Sequence, residues 1–378
     1  MRFSRRELLG AALALAAGPA FGGSFKSSRS AGLFLSAAST KDDTHWVKGL
    51  RWQGDSLVQE FALPLPERGH HVEVHPDGRH FVMVARRPGT WLVLGDAEKG
   101  ELLEVLRVPE DRHLFGHGVF TADGRHFYTT ESDFEDLTGD SGLIVEWRVD
   151  LSEGFKLLRE REFRSYGVGP HELLLMPDQD VIAIANGGIR THPANDRENL
   201  NIDTMVPSLA YIDRHTGALL EQHFLPEEWR QASIRHFDVD AAGQIAFGMQ
   251  FEGEPWMDVP LVGTHRRGEE LRLLTAPQPL QGQMKQYVGS VRYAADGKSF
   301  VSSCPIGNML VFWDAQTGEV LDSIRSRDGC GVCAIEQGYF FSAGTGRLAW
   351  YEPATRTVHE FETGPELDLL WDNHLSRV

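Results

Sequence analysis

The sequence predicts an all-β protein, a seven-bladed β-propeller whose ring is closed by N-terminal strands pairing with the C-terminal strand. Its 378 residues include 39 glycines, 21 phenylalanines and 9 tryptophans, and glycine turns between aromatic strands are typical of β-rich proteins. A hairpin pattern also recurs along the chain, and its last copy stops after one strand. Such repetition indicates the blades of a propeller.

The repeated unit is a short apolar strand, an Asp-Gly turn and a second strand. Three strong copies turn at Asp77-Gly78, Asp123-Gly124 and Asp296-Gly297. Weaker copies turn at Asp178-Gln179, Ala242-Gly243 and Gln337-Gly338. A second type of turn follows downstream in several units, over residues 96–100, 213–217 and 314–318. Two turn types in one unit indicate four strands in each blade.

The number of blades follows from the first strands. Six of them begin at or near His71, His117, Glu172, His236, Ser290 and Gly331, and a seventh occupies residues 371–378, where the chain ends. Three strands that complete this last blade are predicted at residues 34–40, 46–52 and 56–63. Residues 33–378 then form a single domain, and closure removes two open sheet edges. A pair of β-sandwiches is the alternative, although no domain boundary is marked.

Residues 1–23 have the character of an export signal. Arg5-Arg6 precede two leucines and an apolar run over residues 10–17, which is too short to span a bilayer. We expect a twin-arginine-type signal peptide, a linker over residues 24–32, and a periplasmic location. An ordinary secretory signal or a chance basic start are the alternatives.

Charge and motifs limit the classes of function. The chain has 37 basic and 54 acidic side chains and a formal charge of −17, so it would repel nucleic acids and anionic membranes. Three cysteines cannot form a disulfide framework. No familiar catalytic motif is present, which disfavours an enzyme without excluding one. We expect a monomer that does not stay inserted in a membrane.

Five stretches carry a resemblance to a family. They are residues 115–120, 167–173, 185–193, 233–236 and 287–291. In these stretches the chain resembles the DUF1513 family of exported bacterial propellers. The resemblance implies an association with periplasmic iron-uptake proteins of the imelysin type, and therefore a link to metal acquisition. It implies no catalytic residues.

The first strand of each blade lines the channel, so its beginning lies at one mouth of that channel. The side chains expected around this mouth are His70, His71, His117, His171, Glu172, Arg235, His236 and His374. The candidate metal ligands among them are His71, His117, His171, Glu172 and His236. Neutral imidazoles with a carboxylate suit iron, copper or zinc. The alternative is that these side chains only fill a polar, hydrated channel.

Three long polar loops are expected on the same face, over residues 131–142, 186–208 and 250–260. Long loops in a compact fold are usually functional or disordered. The candidate ligand-binding residues are Glu131, Asp133, Asn186, Arg190, His192 and Arg235. Arg190 and Arg197 are suited to a carboxylate or phosphate, and Glu131, Asp133 and Asp203 to a cation.

These observations leave three functions open. The first is a binding or accessory protein for metal acquisition that uses the histidine-rich face. The second is a propeller enzyme, either a quinone-type oxidoreductase or a metal-dependent lactonase with Glu131, Glu172 and Asn186 around its metal. The third is a protein-interaction scaffold, for which Trp256 and Phe251 are the only indication. The fold itself does not choose among them.

Overall fold

The computed structural model describes residues 32–137 and 139–378. Strands are numbered in chain order, and blades are numbered from the first complete sheet, each from its inner strand outward. Blade 1 contains β4 (Gly69–Val74), β5 (His80–Ala85), β6 (Trp91–Asp96) and β7 (Glu101–Arg107). Blade 2 contains β8 (Arg112–Phe120), β9 (His126–Asp133), β10 (Gly142–Asp150) and β11 (Lys156–Arg164). Blade 3 contains β12 (Pro170–Leu175), β13 (Val181–Asn186), β14 (Ser208–Asp213) and β15 (Leu219–Phe224).

The next three blades follow the same order. Blade 4 contains β16 (Ala232–Val239), β17 (Gln244–Phe251), β18 (Val262–Arg266) and β19 (Arg272–Leu274). Blade 5 contains β20 (Ser290–Tyr293), β21 (Ser299–Cys304), β22 (Met309–Asp314) and β23 (Val320–Arg325). Blade 6 contains β24 (Gly329–Ile335), β25 (Gly338–Ala343), β26 (Leu348–Glu352) and β27 (Thr357–Glu360).

Blade 7 joins the two ends of the described chain. Its inner strand is β29 (Leu370–Arg377), followed by β1 (Leu33–Ser39), β2 (His45–Gln53) and β3 (Ser56–Pro64). A short strand, β28 (Glu362–Thr363), adds to its outer edge in parallel. β1 pairs with β29 in antiparallel register from Phe34 opposite Arg377 to Ser39 opposite Leu370. The seven-bladed fold and its closure by one C-terminal and three N-terminal strands are therefore confirmed.

Little of the described chain is helical. One short helix, α1, spans Leu280–Gln283, and single 3₁₀ turns occur at Pro193–Asn195, Ile202–Thr204, Glu227–Trp229 and Pro365–Leu367. None of the helices in this part is long and apolar enough to cross a membrane. The expected signal peptide, and the expected linker up to residue 31, lie outside the described residues.

Aromatic side chains hold neighbouring blades together. Phe61 of blade 7 stacks on Phe81 of blade 1, with ring centroids 6.3 Å apart. Gly95 of β6 lies beneath the same Phe81 ring, and a Cβ atom at that glycine would be 2.1 Å from the ring. Burying such a phenylalanine contributes about 1.5–3 kcal/mol to stability. The small residue in one strand therefore makes room for the large one beside it.

The inner strands β4, β8, β12, β16, β20, β24 and β29 contact one another in sequence, and β29 returns to β4. They surround the central channel. Several of them change register near their first residues. These shifts fall between Gly69 and Val72, Leu114 and Gly118, Pro170 and Glu172, Ile234 and His236, and Gly329 and Val332. β29 has a similar irregularity over residues 372–374, opposite Ser36 to Ala38 of β1. A bulge redirects side chains that would otherwise alternate across the sheet.

Candidate metal centre at the channel mouth

Five of the six irregularities in the inner strands, all except that of β24, carry a histidine. The side chains of His70, His71, His117, His171, His236 and His374 are all buried, and we call them the histidine cluster. Two of the six, His70 and His374, come from strands at opposite ends of the sequence. The sequence analysis predicts that all six lie around one mouth of the channel, and the structure brings them together there. The bulges explain how neighbouring positions such as His70 and His71 both reach the cluster.

His117 lies at the centre of the histidine cluster. Its ring centroid is 4.5 Å from that of His374, 5.0 Å from that of His70 and 5.2 Å from that of His71. The rings of His171 and His236 lie 5.2 Å and 5.4 Å away. The preceding residue makes this packing possible. Gly116 has a φ of +109°, and a Cβ atom there would be 2.4 Å from the His70 ring.

Donor atoms converge in three overlapping sets, each within 4.8 Å. The sets are His70, His236 and His374; His70, His117 and His171; and His117, Glu172 and His236. Four of the five predicted metal ligands therefore belong to a set. The fifth, His71, lies beside the cluster, and its Nε2 atom is 3.7 Å from Glu73 instead.

Two carboxylates orient imidazoles of the cluster. Nδ1 of His70 lies 2.8 Å from Oδ1 of Asp372, and the other oxygen of Asp372 accepts hydrogen bonds from Arg68 and Arg86 at 2.6 and 2.9 Å. Burial alone would raise the pKa of Asp372, but Arg86 and His70 hold it well below its usual range. The carboxylate can then only accept, so Nδ1 of His70 carries the proton and its Nε2 lone pair is free. Nδ1 of His236 lies 3.3 Å from Oε2 of Glu172.

The free nitrogen of His70 lies 3.2 Å from Nε2 of His374. Donor atoms on a tetrahedral zinc ion are about 2.0–2.1 Å from the metal, which separates neighbouring donors by about 3.3 Å. The observed spacing fits both a hydrogen bond between the rings and two ligands of one ion. A carboxylate that holds the far nitrogen of a ligating histidine is the usual support of such a site.

Several ring nitrogens form no hydrogen bond within the described residues, although Nδ1 of His117 lies 3.5 Å from Oε1 of Glu172. These are both nitrogens of His117 and Nδ1 of His71, His171 and His374. Burial, reinforced by neighbouring positive groups, lowers the pKa of every imidazole in the cluster, to about 4 for His70 and well below 6.5 for the others. All six are therefore neutral near pH 7. A neutral imidazole with a free lone pair can coordinate a metal ion, whereas a protonated imidazole cannot.

Acidic groups and one arginine lie deeper in the channel. Burial raises the pKa of Glu172 to about 7 and that of Glu73 to about 8. Nη1 of Arg292 lies 3.6 Å from Glu172 and hydrogen bonds to the carbonyl of Val291. Although burial lowers the pKa of Arg292, Glu172 and Asp238 raise it overall. Arg292 therefore stays charged and moderates the negative potential below the cluster.

The six predicted ligand-binding residues do not share one site. Arg235 lines the pocket directly above the cluster, beside His70 and His171. Arg190 instead hydrogen bonds to the carbonyl of Asp136, and the His192 ring packs 4.6 Å from Phe134. Both face blade 2, away from the cluster.

The remaining three, Glu131, Asp133 and Asn186, have partners within their own surroundings. Arg159 forms two hydrogen bonds with the buried carboxylate of Glu131, at 2.9 and 3.0 Å. Asp133 pairs with Arg112 at 2.9 Å, and Asn186 donates to the carbonyl of Ser165. Glu131, Glu172 and Asn186 therefore lie in three different environments and do not form the cluster that a lactonase would need.

Some site residues escaped the sequence analysis. Asp372, Arg86 and Arg87 approach the mouth from strand ends and loops with no recognisable motif. Asp372 could have been recognised from its position in the sequence, two residues before His374 in β29. The loop over residues 187–207 does reach the mouth as expected, because its Arg197 lines the pocket.

Comparison with known proteins extends the fold assignment. Hydrazine synthase from Kuenenia stuttgartiensis has a similar structure, with a TM-score of 0.57 and 11% identity over 90% of this chain and 98% of that one. A functionally unknown protein from Desulfotomaculum acetoxidans DSM 771 gives a TM-score of 0.52 and 12% identity, over 77% and 85% of the two chains. At such identities the likeness concerns the fold alone.

Sequence comparison is more specific. No curated protein matches this chain. The family model described as "Protein of unknown function (DUF1513)" matches residues 63–378, which is most of the sequence and covers the five stretches that carry the resemblance. The chain is a member of the DUF1513 family.

Proposed function

We propose that this protein binds one divalent transition-metal ion through the histidine cluster. The observation that supports this best is the convergence of buried, neutral imidazoles whose nitrogens lack hydrogen-bond partners within the described residues. An unpaired buried polar atom costs about 1–3 kcal/mol. Five such atoms would strongly destabilise the folded protein if the histidines only filled the channel. A bound metal ion would offset that loss.

The donor set limits the metal. Imidazole nitrogens suit zinc, copper and iron, whereas magnesium and calcium prefer oxygen ligands. We expect His70, His117 and His171 to contribute ligands, because their donor atoms converge, with His236 and Glu172 in the overlapping set that also contains His117. Asp372 would hold His70 in the ligating tautomer.

Calorimetric titration of metal-stripped protein with zinc, copper and anaerobic ferrous iron at pH 7.5 tests the proposal. We expect one ion per chain with micromolar or tighter affinity. His117→Phe should weaken binding at least 100-fold, because it removes the central ligand while filling its space. His223→Phe is the matched control on the outside of blade 3 and should bind as the native protein does. Absent binding, or equal affinity in the native protein and His117→Phe, would refute the proposal.

We further propose that the metal is handled in the periplasm, as part of iron acquisition with a partner of the imelysin type. The support is the export-like character of residues 1–23 and the family resemblance. Replacing Arg5 and Arg6 with lysine should leave precursor in the cytoplasm, detected by cell fractionation and blotting. Normal export of that variant would argue against the twin-arginine route. Co-purification from periplasm with and without His117→Phe would test the partner.

A further inference from the structure

A second feature lies directly above the histidine cluster. Four guanidinium groups, from Arg86, Arg87, Arg197 and Arg235, line one pocket with Tyr287. We call it the arginine pocket. Its floor is formed by His70, His171 and His236 of the cluster. The enclosed cavity is only about 10 Å³, room for about one water molecule, and it opens to solvent, so a small anion would bind across its mouth.

Two of the four arginines have carboxylate partners. Arg86 donates to Asp372 at 2.9 Å, and Arg235 donates to Glu252 at 2.8 Å. Glu252 also accepts a hydrogen bond from Asn199 in the loop over residues 187–207. Both carboxylates therefore already have a guanidinium partner, and Glu252 offsets only part of the repulsion on Arg87.

The other two arginines have no such partner. Arg87 is only 7% exposed, whereas Arg197 is exposed, and neither forms a hydrogen bond or ion pair with another described residue. A buried, unpaired charge is costly, and proteins normally pair it or use it to bind a ligand. In a chain of net charge −17, such a concentration of positive charge is opposite to the character of the rest of the molecule.

Burial, together with repulsion between the guanidinium groups, lowers the pKa values of Arg87 and Arg197. Burial and the nearby Arg235 and Arg197 lower the pKa of Arg87 to about 9. Burial and the nearby Arg86 and Arg235 lower the pKa of Arg197 to about 10. Both remain charged at neutral pH. An anion placed among them would relieve this repulsion.

We propose that the arginine pocket binds a small oxyanion carrying at least two negative charges, a polycarboxylate or a phosphate. Guanidinium groups match the paired oxygens of both chemistries, and four guanidinium groups beside two carboxylates leave two positive charges for a ligand to balance. Tyr287 adds a hydroxyl that already accepts a hydrogen bond from Asn373 at 2.9 Å, so its proton is free to be donated.

The position of the pocket gives this anion a second role. Because His70, His171 and His236 form its floor, an oxygen of the bound anion would reach the ion held by the histidine cluster. This extension rests on the proposed function, whereas binding of the anion to the arginines does not. The protein would then recognise a metal together with its anionic chelator.

The test is calorimetric titration of metal-stripped protein with citrate, inorganic phosphate and, as a monovalent comparison, chloride. Native protein should bind citrate or phosphate at one site and chloride at least tenfold more weakly. Arg87→Leu combined with Arg197→Gln should weaken that binding at least 30-fold. Arg125→Gln, a change of charge at the exposed turn of β8 and β9, should leave it unchanged. Preference for citrate over phosphate would identify the carboxylate chemistry, and the reverse preference the phosphate chemistry.

Thermal unfolding keeps the test informative if the double variant is unstable. Native protein should melt at a higher temperature with the anion, and each single variant should lose most of that shift while remaining folded. Absence of binding in the native protein, or equal binding in the double variant, would overturn the inference even if metal binds. Anion binding without any metal binding would instead remove only the proposed metal site and the bridging role.

Discussion

Two groups of histidines in this molecule differ in what their nitrogens contact. On the outside of blades 3 and 4, His223 lies 2.6 Å from Glu221, and the His265 nitrogens lie 2.5 Å from the Tyr211 hydroxyl and 2.9 Å from the Glu269 carbonyl. This outer group satisfies the same distance criterion for a metal as the histidine cluster. Its imidazoles are nevertheless occupied by hydrogen bonds, whereas those of the cluster are not.

The comparison teaches that proximity of histidines is a weak criterion for a metal site. Hydrogen bonds within the outer group hold its rings in place without any ion, as in an ordinary structural network. In the cluster, Nδ1 of His117 lies 3.5 Å from Glu172, yet neither nitrogen of His117 forms a hydrogen bond within the described residues, nor does Nδ1 of His171 or His374. Free lone pairs therefore distinguish the candidate site better than distance does.

The largest expected difference between the two groups is in the dependence of stability on pH. In metal-free protein the cluster pKa values lie below 6.5, so the unfolded chain takes up protons that the folded protein does not. Stability is then complete above pH 6.5 and lost as pH falls toward the folded value of about 4 for His70. Glu172 and Glu73 oppose this because their raised pKa values favour the folded state below pH 7 to 8. Arg292 and Asp372 keep their charges throughout.

The six cluster histidines and these two glutamates alone account for an uptake of about four protons on unfolding near pH 5.5, which corresponds to about 5 kcal/mol per pH unit. The melting temperature of metal-free protein should therefore fall between pH 7 and 5.5. His117→Phe should reduce this slope by one proton, whereas His223→Phe should hardly change it. A melting temperature that is constant or rises on acidification would contradict the described ionisation of the cluster.

The next largest effect is expected at the carboxylate that supports the cluster. Asp372→Asn removes the negative charge shared by His70, Arg68 and Arg86, so two guanidinium groups lose their partner. Breaking a buried pair costs about 3–5 kcal/mol, less here because Arg68 is half exposed. Zinc affinity should also fall 10- to 100-fold. Chemical denaturation and zinc titration measure the two losses.

Glu221→Gln is the matched change in the outer group. It should cost less than about 1 kcal/mol, as expected of a partly exposed contact, and leave zinc affinity unchanged. If the two variants behaved alike in zinc affinity, Asp372 would have no special connection to the cluster.

The smallest effect is a stabilising one. His117→Phe removes two buried nitrogens without hydrogen-bond partners, so metal-free protein should gain about 1 kcal/mol. His265→Phe removes two satisfied nitrogens and leaves Tyr211 unpaired, so it should lose about 1–3 kcal/mol. Urea denaturation of metal-free proteins decides between these directions. Destabilisation by both changes to the same extent would mean that the His117 nitrogens have partners, such as ordered water.

Those parts of the fold and the candidate site that depend on local sequence patterns could be predicted from the sequence. The Asp-Gly turns and alternating strands determined seven blades and the split final blade, because both signals depend on neighbouring residues. Each inner strand begins at one mouth, so the convergence of His70, His117 and His374 was predictable from the fold alone. The identity of the candidate metal ligands stays a prediction.

Contacts between distant residues explain what could not be predicted. Glu131 looks like a binding residue until Arg159, two strands away, is seen to engage both its oxygens. His70 and Asp372 meet across 302 positions of sequence. The bulges that redirect the inner side chains have no sequence signal of their own, and neither does the meeting of Arg87 with Arg197.

X-ray absorption spectroscopy of protein loaded with one equivalent of zinc tests the central claim most directly. The histidine cluster predicts a first shell at about 2.0–2.1 Å with at least three imidazole nitrogens, identified by multiple scattering from their rings. His117→Phe should lose this signature, and His223→Phe should keep it. A shell made of oxygen atoms, or an imidazole signature that survives in His117→Phe and disappears in His223→Phe, would contradict the assignment of the metal to the channel mouth.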